Sequence, residues 1–137
     1  MTKVFLDTNV LLDLVTGRAG CNEAACILAY SSSEEYELHV STLTMANLAY
    51  YIRKHIKERP LYEVLQSFSN RLCVDSTSTQ NYDNALSLRH RDFEDALQYY
   101  CALENECPII VTNNIKDYQL PDILVLNPSD FLDRYER

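Results

Sequence analysis

The chain has 137 residues, 47% hydrophobic and 23% charged, with a net charge of −8. This is the balance of a soluble globular domain long enough to bury its own core. The negative charge argues against a passive nucleic-acid coat protein, whose affinity comes chiefly from neutralising phosphates. It leaves open an enzyme that gathers carboxylates in one cleft and meets phosphates through divalent cations.

In chain order, residues 3–7 have the apolar run of a buried strand. Thr8 or Asn9 offers an N-cap for a short helix carrying Leu11, Leu12 and Val15 and ended by Gly17. A helix is expected over about 21–32, with Ala24, Ile27 and Leu28 inward, then a strand over 36–42. The next helix starts at Thr42 or Leu43, and Leu48, Ile52 and Ile56 recur every four residues to form one apolar stripe. Pro60 suits the first turn of a helix to about residue 70. A strand over 71–76, helices over 78–89 and 92–106, strands over 108–114 and 123–128 and a C-terminal helix complete the order.

Strands alternating with helices imply a single α/β domain over 1–137, a three-layer sandwich with a mainly parallel central sheet. Ligands then bind beyond the carboxyl ends of the strands, near Asp7, the Ser41–Asn47 region, Asp75 and the Thr112–Asn114 turn. Two glycines and no Gly-rich loop argue against phosphate cradling of the dinucleotide kind. No apolar run approaches the roughly 18 residues that span a bilayer. The start "MTKVFLD" lacks the regions of a secretory signal, so a cytoplasmic protein with no membrane partner is expected. The five cysteines contain no CxxC pair and read as buried small hydrophobes, ahead of a disulfide or zinc site. His39, His55 and His90 are expected at the surface or as satisfied core residues, forming no ligand cluster.

Five acidic residues carry the candidate chemistry: Asp7 at a strand end, Asp92, Glu94 and Asp95 opening a helix, and Asp117 past the fourth strand. Each has a plain structural reading, since Asp92 makes a good N-cap and an acid in the first turn complements the helix dipole. Together they make a set of oxygen ligands suited to Mg²⁺ or Mn²⁺, which need only two or three converging carboxylates. Asp13 lies about one and two-thirds helical turns beyond Asp7, should point away from that set, and is expected to pair with Arg18. Basic residues cluster at Arg53, Lys54, His55, Lys57 and Arg59 and at Arg89, His90 and Arg91, runs that read by themselves as solvated helix ends.

"VFLDTNVLLDLV", "VSTLTMANLAYYIRK", "DFEDALQYYCALE" and "IIVTNNIKDY" occur in the order and approximate spacing of the PIN-domain family. The branch the chain resembles most is the one typified by VapC-type toxins. The resemblance implies a Mg²⁺- or Mn²⁺-dependent endoribonuclease with a small antitoxin partner and a homodimeric state. Carried over residue by residue, it implies Asp7, Asp95 and Asp117 as metal ligands, Thr112 and Asn114 lining the same pocket, and Asp92 as an outer or supporting carboxylate. Asn47 stands where many members carry a glutamate. An amide can coordinate through its oxygen or orient water but brings no charge, so Asp92 or Glu94 must compensate for full metal affinity. The alternative implied by that departure is a PIN-like binding or regulatory module with weak or no turnover. Otherwise Asn47 serves the nearby helix end with Thr44. RNA is cut where its backbone is accessible, in single strands or loops, with Arg53, Lys54, Lys57, Arg89 and Arg91 holding it. Exposed faces that include Tyr50 and Tyr51 are open to either protein partner.

Overall fold

A computed structural model describes residues 1–118 and 120–136. The alternating apolar runs form strands β1 (Thr2–Leu6), β2 (Tyr36–Ser41), β3 (Cys73–Asp75), β4 (Ile109–Val111) and β5 (Leu124–Leu126). All are parallel, in the order β3-β2-β1-β4-β5. Seven helices connect or flank them among the described residues: α1 (Thr8–Thr16), α2 (Cys21–Ala29), α3 (Thr42–His55), α4 (Leu61–Ser69), α5 (Thr79–Leu88), α6 (Phe93–Glu104) and α7 (Pro128–Arg134). None of them is long and apolar enough to cross a membrane.

Side chains of successive strand residues point to opposite faces, and this alternation divides the core in two. Val4, Leu6, Leu38, Val40, Ile109 and Val111 face α1–α4 and α7, meeting Leu11, Ile27, Leu48, Ile52, Phe68 and Phe131. Phe5 and Ile110 face the other way, against Tyr99, Cys101 and Ala102 of α6, with α5 packed outside. The result is the expected three-layer sandwich, with a sheet that is wholly rather than mainly parallel. Each such Leu, Ile or Phe contributes roughly 1.5–3 kcal/mol through burial, so the centre of the sheet is the firmest part of the fold.

Side chains acting as caps end the strands and open the helices. Asp7, Ser41, Ser78, Asp92 and Asn127 each accept a backbone N–H from the helix that follows. Gly17 closes α1 in the left-handed conformation, φ 68°, as its position in the sequence implies. Because β1 lies centrally while the chain leaves it first towards β2 and later arrives at β4 on its other side, the carboxyl ends of β1 and β4 form a topological switch point. Asp7 follows one of these strands and Thr112 the other.

Candidate active site

A cavity of ≈400 Å³ opens at this switch point. Five carboxylates line it: Asp7, Asp92, Glu94, Asp95 and Asp117. Among the described residues, none that lines it is cationic.

Asp7 is both the cap of α1 and the floor of the cavity. Its Oδ1 accepts the Thr8 N–H at 2.7 Å, and its Oδ2 accepts the Thr112 hydroxyl at 2.8 Å and the Asn9 amide at 3.1 Å. All these donors are neutral. Burial pushes the Asp7 carboxyl up, against the hydrogen bonds from Thr112 and Thr8. Thr112 in turn accepts the Asn114 N–H at 3.0 Å, which fixes the turn leaving β4. Asn9 clasps the same turn by accepting the Asn113 N–H at 3.0 Å.

Asp92 caps α6 by accepting the Asp95 N–H at 3.1 Å, the structural role read from its position. This cap holds Glu94 and Asp95 in the first turn, facing the cavity. Burial and then the charges of Asp7, Asp92 and Asp117 hold the Asp95 carboxyl up at about 7. The Tyr118 hydroxyl donates to Asp95 Oδ1 at 3.3 Å and faces Asp7 as well. Burial and those two carboxylates push the Tyr118 phenol far above its ordinary value, so it acts as a donor. Burial also raises Glu94, with help from Asp92 and Asp7, against a hydrogen bond from Asn47.

Beneath the floor, Gln98 of α6 accepts the Ser41 hydroxyl at 2.5 Å and donates to Thr44 Oγ1 at 2.7 Å. Thr44 and Thr8 share a hydroxyl contact at 2.9 Å. This fully buried set locks the starts of α1 and α3 to α6, so three cavity walls are held in fixed relation.

The sequence-derived residues Asp7, Asn47, Asp92, Asp95, Asn114 and Asp117 all come together here, with Thr112 immediately below Asp7. Several details differ from expectation. Asn47 does not serve the helix end with Thr44; its amide donates to Glu94 Oε1 at 2.9 Å, because Thr44 is taken by Gln98. Asp75 ends β3, two strands away from β1, and bonds His39 instead of entering the cavity. Arg91 donates to Asp117 Oδ1 at 2.7 Å, so a basic residue expected to meet RNA is engaged by one of the carboxylates. Arg53, Lys54, Lys57 and Arg89 are exposed, with Lys54 donating to the Tyr50 hydroxyl at 3.2 Å. Tyr50 and Tyr51 line the cavity mouth. Asp13 pairs with Arg18 as expected and accepts the Asn113 amide at 2.8 Å. Two of the five cysteines, Cys101 and Cys107, are buried, whereas Cys26 is exposed and Cys21 and Cys73 are half-buried; helix α2 turns the Cys26 side away from the core. His39 is a satisfied core residue, but it lies with Glu37 and Cys73 in a possible ligand group, contrary to the expectation of no such cluster. Sequence reasoning missed Asn9, Gln98 and Tyr118; the amide two residues after Asp7 was the available signal for the first.

The family model described as PIN domain matches residues 3–116. Ribonuclease VapC1 of Aquifex aeolicus (strain VF5) is 27% identical, over 97% of this chain and 95% of its own. Among solved structures, VapBC2 from Rickettsia felis bound to a promoter DNA fragment matches with a TM-score of 0.73 at 21% identity, covering 92% of this chain and 98% of that one. VapC20 of Mycobacterium tuberculosis, a toxin that cleaves the sarcin–ricin loop, matches with a TM-score of 0.63 at 16% identity, covering 78% and 86%. The two solved structures bear on the fold.

Proposed function

Since this chain belongs to the PIN-domain family, we propose that it is a divalent-metal-dependent endoribonuclease, the toxin of a toxin–antitoxin pair. The observation that carries this reading is the crowding of five carboxylates in a cavity with no cation among its described lining residues. Carboxyls raised by burial and then by their neighbours' charges, Asp95 to about 7, mark a site short of positive charge. An oxygen-rich donor set of this kind fits Mg²⁺ or Mn²⁺. Asp7, Asp95 and Asp117 are the ligands in this reading. Asn47 contributes its amide oxygen, and Asp92 sets the position of Asp95. When bound, the cation supplies Lewis-acid polarisation of a phosphodiester and activation of a water for in-line attack.

The chain's own residues do the rest. Thr112, the Thr8 N–H and Asn9 hold the Asp7 carboxylate in one orientation, and Tyr118 does the same for Asp95. Such preorganisation means that little reorientation accompanies the reaction. Glu94 Oε1, held by Asn47 at the rim, is placed to take or return a proton. Tyr50 and Tyr51 offer ring faces on which unpaired bases stack, a contact worth about 1–3 kcal/mol per base. Arg53, Lys54, Lys57 and Arg89 lie outside the acidic cavity, where they meet the RNA backbone; Arg91 joins them once it leaves Asp117. The partner is a small antitoxin, in keeping with the VapBC complex named above, and a homodimer is the expected assembly.

The test is cleavage of a structured RNA with Mn²⁺, with and without EDTA, beside Asp7→Asn. Wild type should cut and EDTA should stop it, while Asp7→Asn should cut roughly 10²–10³-fold more slowly. Equal activity in both proteins overturns the assignment. The amide at Asn47 and the Arg91–Asp117 pair favour one rival, a non-cleaving PIN-like binding module. Its mark is RNA bound but left intact at every Mn²⁺ concentration.

A further inference from the structure

On the opposite face of the sheet from α1, at the edge formed by β2 and β3, lies a second polar cluster. His39 stands opposite Cys73 in the β2–β3 register, and Ser41 opposite Asp75. Glu37 precedes His39 by two residues and therefore shares its face. The His39 side chain is 6% exposed, and both ring nitrogens are engaged by carboxylates: Nδ1 by Asp75 Oδ2 at 2.7 Å and Nε2 by Glu37 Oε1 at 2.7 Å. One ligand atom each from Glu37, His39 and Cys73 lies within 4.8 Å of the others. Glu37 and Cys73 also line a solvent-facing cavity of ≈350 Å³, which gives an entry path.

We propose that Glu37, His39 and Cys73 form a zinc-type transition-metal site, with Asp75 as the positioning residue for the imidazole. A thiolate, an imidazole and one carboxylate are the donor mixture that a borderline-soft dication takes and that Mg²⁺ does not. Asp75 on Nδ1 leaves Nε2 as the coordinating atom, the carboxylate–histidine–metal relay that recurs around bound zinc. Lys3 stands beside Glu37 in the β1–β2 register, and Arg71 shares the cavity, so these two cations face the group and compete for Glu37. The fourth coordination position faces the cavity and is left to water. Such an ion ties a three-residue edge strand to β2. This site is separate from the acidic cavity and stands or falls independently of the ribonuclease reading.

The test is titration of metal-free full-length protein with Co²⁺, a spectroscopic substitute for zinc, in wild type and in Asp7→Asn. A near-ultraviolet thiolate-to-cobalt band saturating at one equivalent is expected in both proteins. It should vanish in Cys73→Ser, survive in Cys26→Ser, and need roughly 10–100-fold more cobalt in Asp75→Asn. A carboxylate-only site gives no such band. Its absence in wild type, or its persistence in Cys73→Ser, overturns the proposal. A second readout needs no variant: Zn²⁺ should slow iodoacetamide labelling of Cys73 by at least about tenfold while leaving exposed Cys26 unchanged. Equal labelling of Cys73 with and without Zn²⁺ overturns it equally.

Discussion

Asp7 caps one short helix and Asp13 lies six residues on, within the same helix, and both are buried. Asp13 meets the Arg18 guanidinium and the Asn113 amide, so its charge is compensated within the protein. Asp7 meets only neutral donors, while four further carboxylates share its cavity. Burial is common to both; compensation is not. A buried charge persists only if something neutralises it or if it is kept for a ligand. The contrast makes Asp13 part of the fold and supports the proposal that Asp7 serves chemistry.

The largest effect should separate the two residues outright. Asp7→Asn is expected to lower RNA cleavage by roughly 10²–10³-fold, the scale of losing one preorganised electrostatic group, with the fold retained. In a matched assay, Asp13→Ala should leave kcat within about threefold but cost about 2 kcal/mol of stability in urea unfolding, because Arg18 and Asn113 lose their acceptor. Loss of activity without loss of stability in Asp13→Ala would break the comparison. Asp13 is also hemmed in by Gly20, where an added Cβ would sit 2.6 Å from its Oδ2 and φ is 96°, so this corner tolerates little repacking.

A smaller effect concerns pH. In metal-free protein Asp95 holds its proton up to about 7, whereas the unfolded chain releases it in the ordinary carboxylate range. The folded state therefore binds more protons between those values, and stability falls as pH rises through that window. Urea midpoints in EDTA should drop between about pH 4 and about pH 7, and Asp95→Asn should flatten the trend and raise stability near neutrality by about 1 kcal/mol, allowing for screening of a half-exposed group. Saturating Mn²⁺ should also flatten it. A midpoint that rises with pH in wild type contradicts the crowding of carboxylates.

The smallest effect is that of Arg91, which alone brings a cation to Asp117 among the ion pairs of the described residues. Arg91→Ala removes a competitor and should tighten Mn²⁺ binding by about threefold, given the modest worth of an exposed pair. Calorimetry decides the sign; weaker binding would mean that Arg91 supports the ligand geometry.

Much of this was legible in the sequence. Apolar runs and turn residues located all five strands and seven helices, although the cap of α1 is Asp7 and not Thr8 or Asn9, and the residues Asp7, Asp92, Asp95 and Asp117 reach one cavity as their order implied. Local chemistry sufficed there, since strand ends and helix starts lie where one residue caps the next element. What was not legible depends on which strands become neighbours. Gln98 meets Ser41 and Thr44 across α6 and α3 only after the sheet is assembled. Asp75 was placed near the active end by strand polarity alone; the order β3-β2-β1-β4-β5 puts it at the edge beside His39. The pairing of Arg91 with Asp117, 26 residues apart, likewise follows from the turn after β4 returning over α6.

The most direct measurement is a crystal soaked in Mn²⁺ and recorded at the manganese absorption edge. An anomalous peak bounded by the carboxylate oxygens of Asp7, Asp95 and Asp117, and missing in Asp7→Asn, is the expected result. A cavity without a peak at saturating Mn²⁺, or a peak that survives in Asp7→Asn, would contradict the assignment of Asp7 to chemistry.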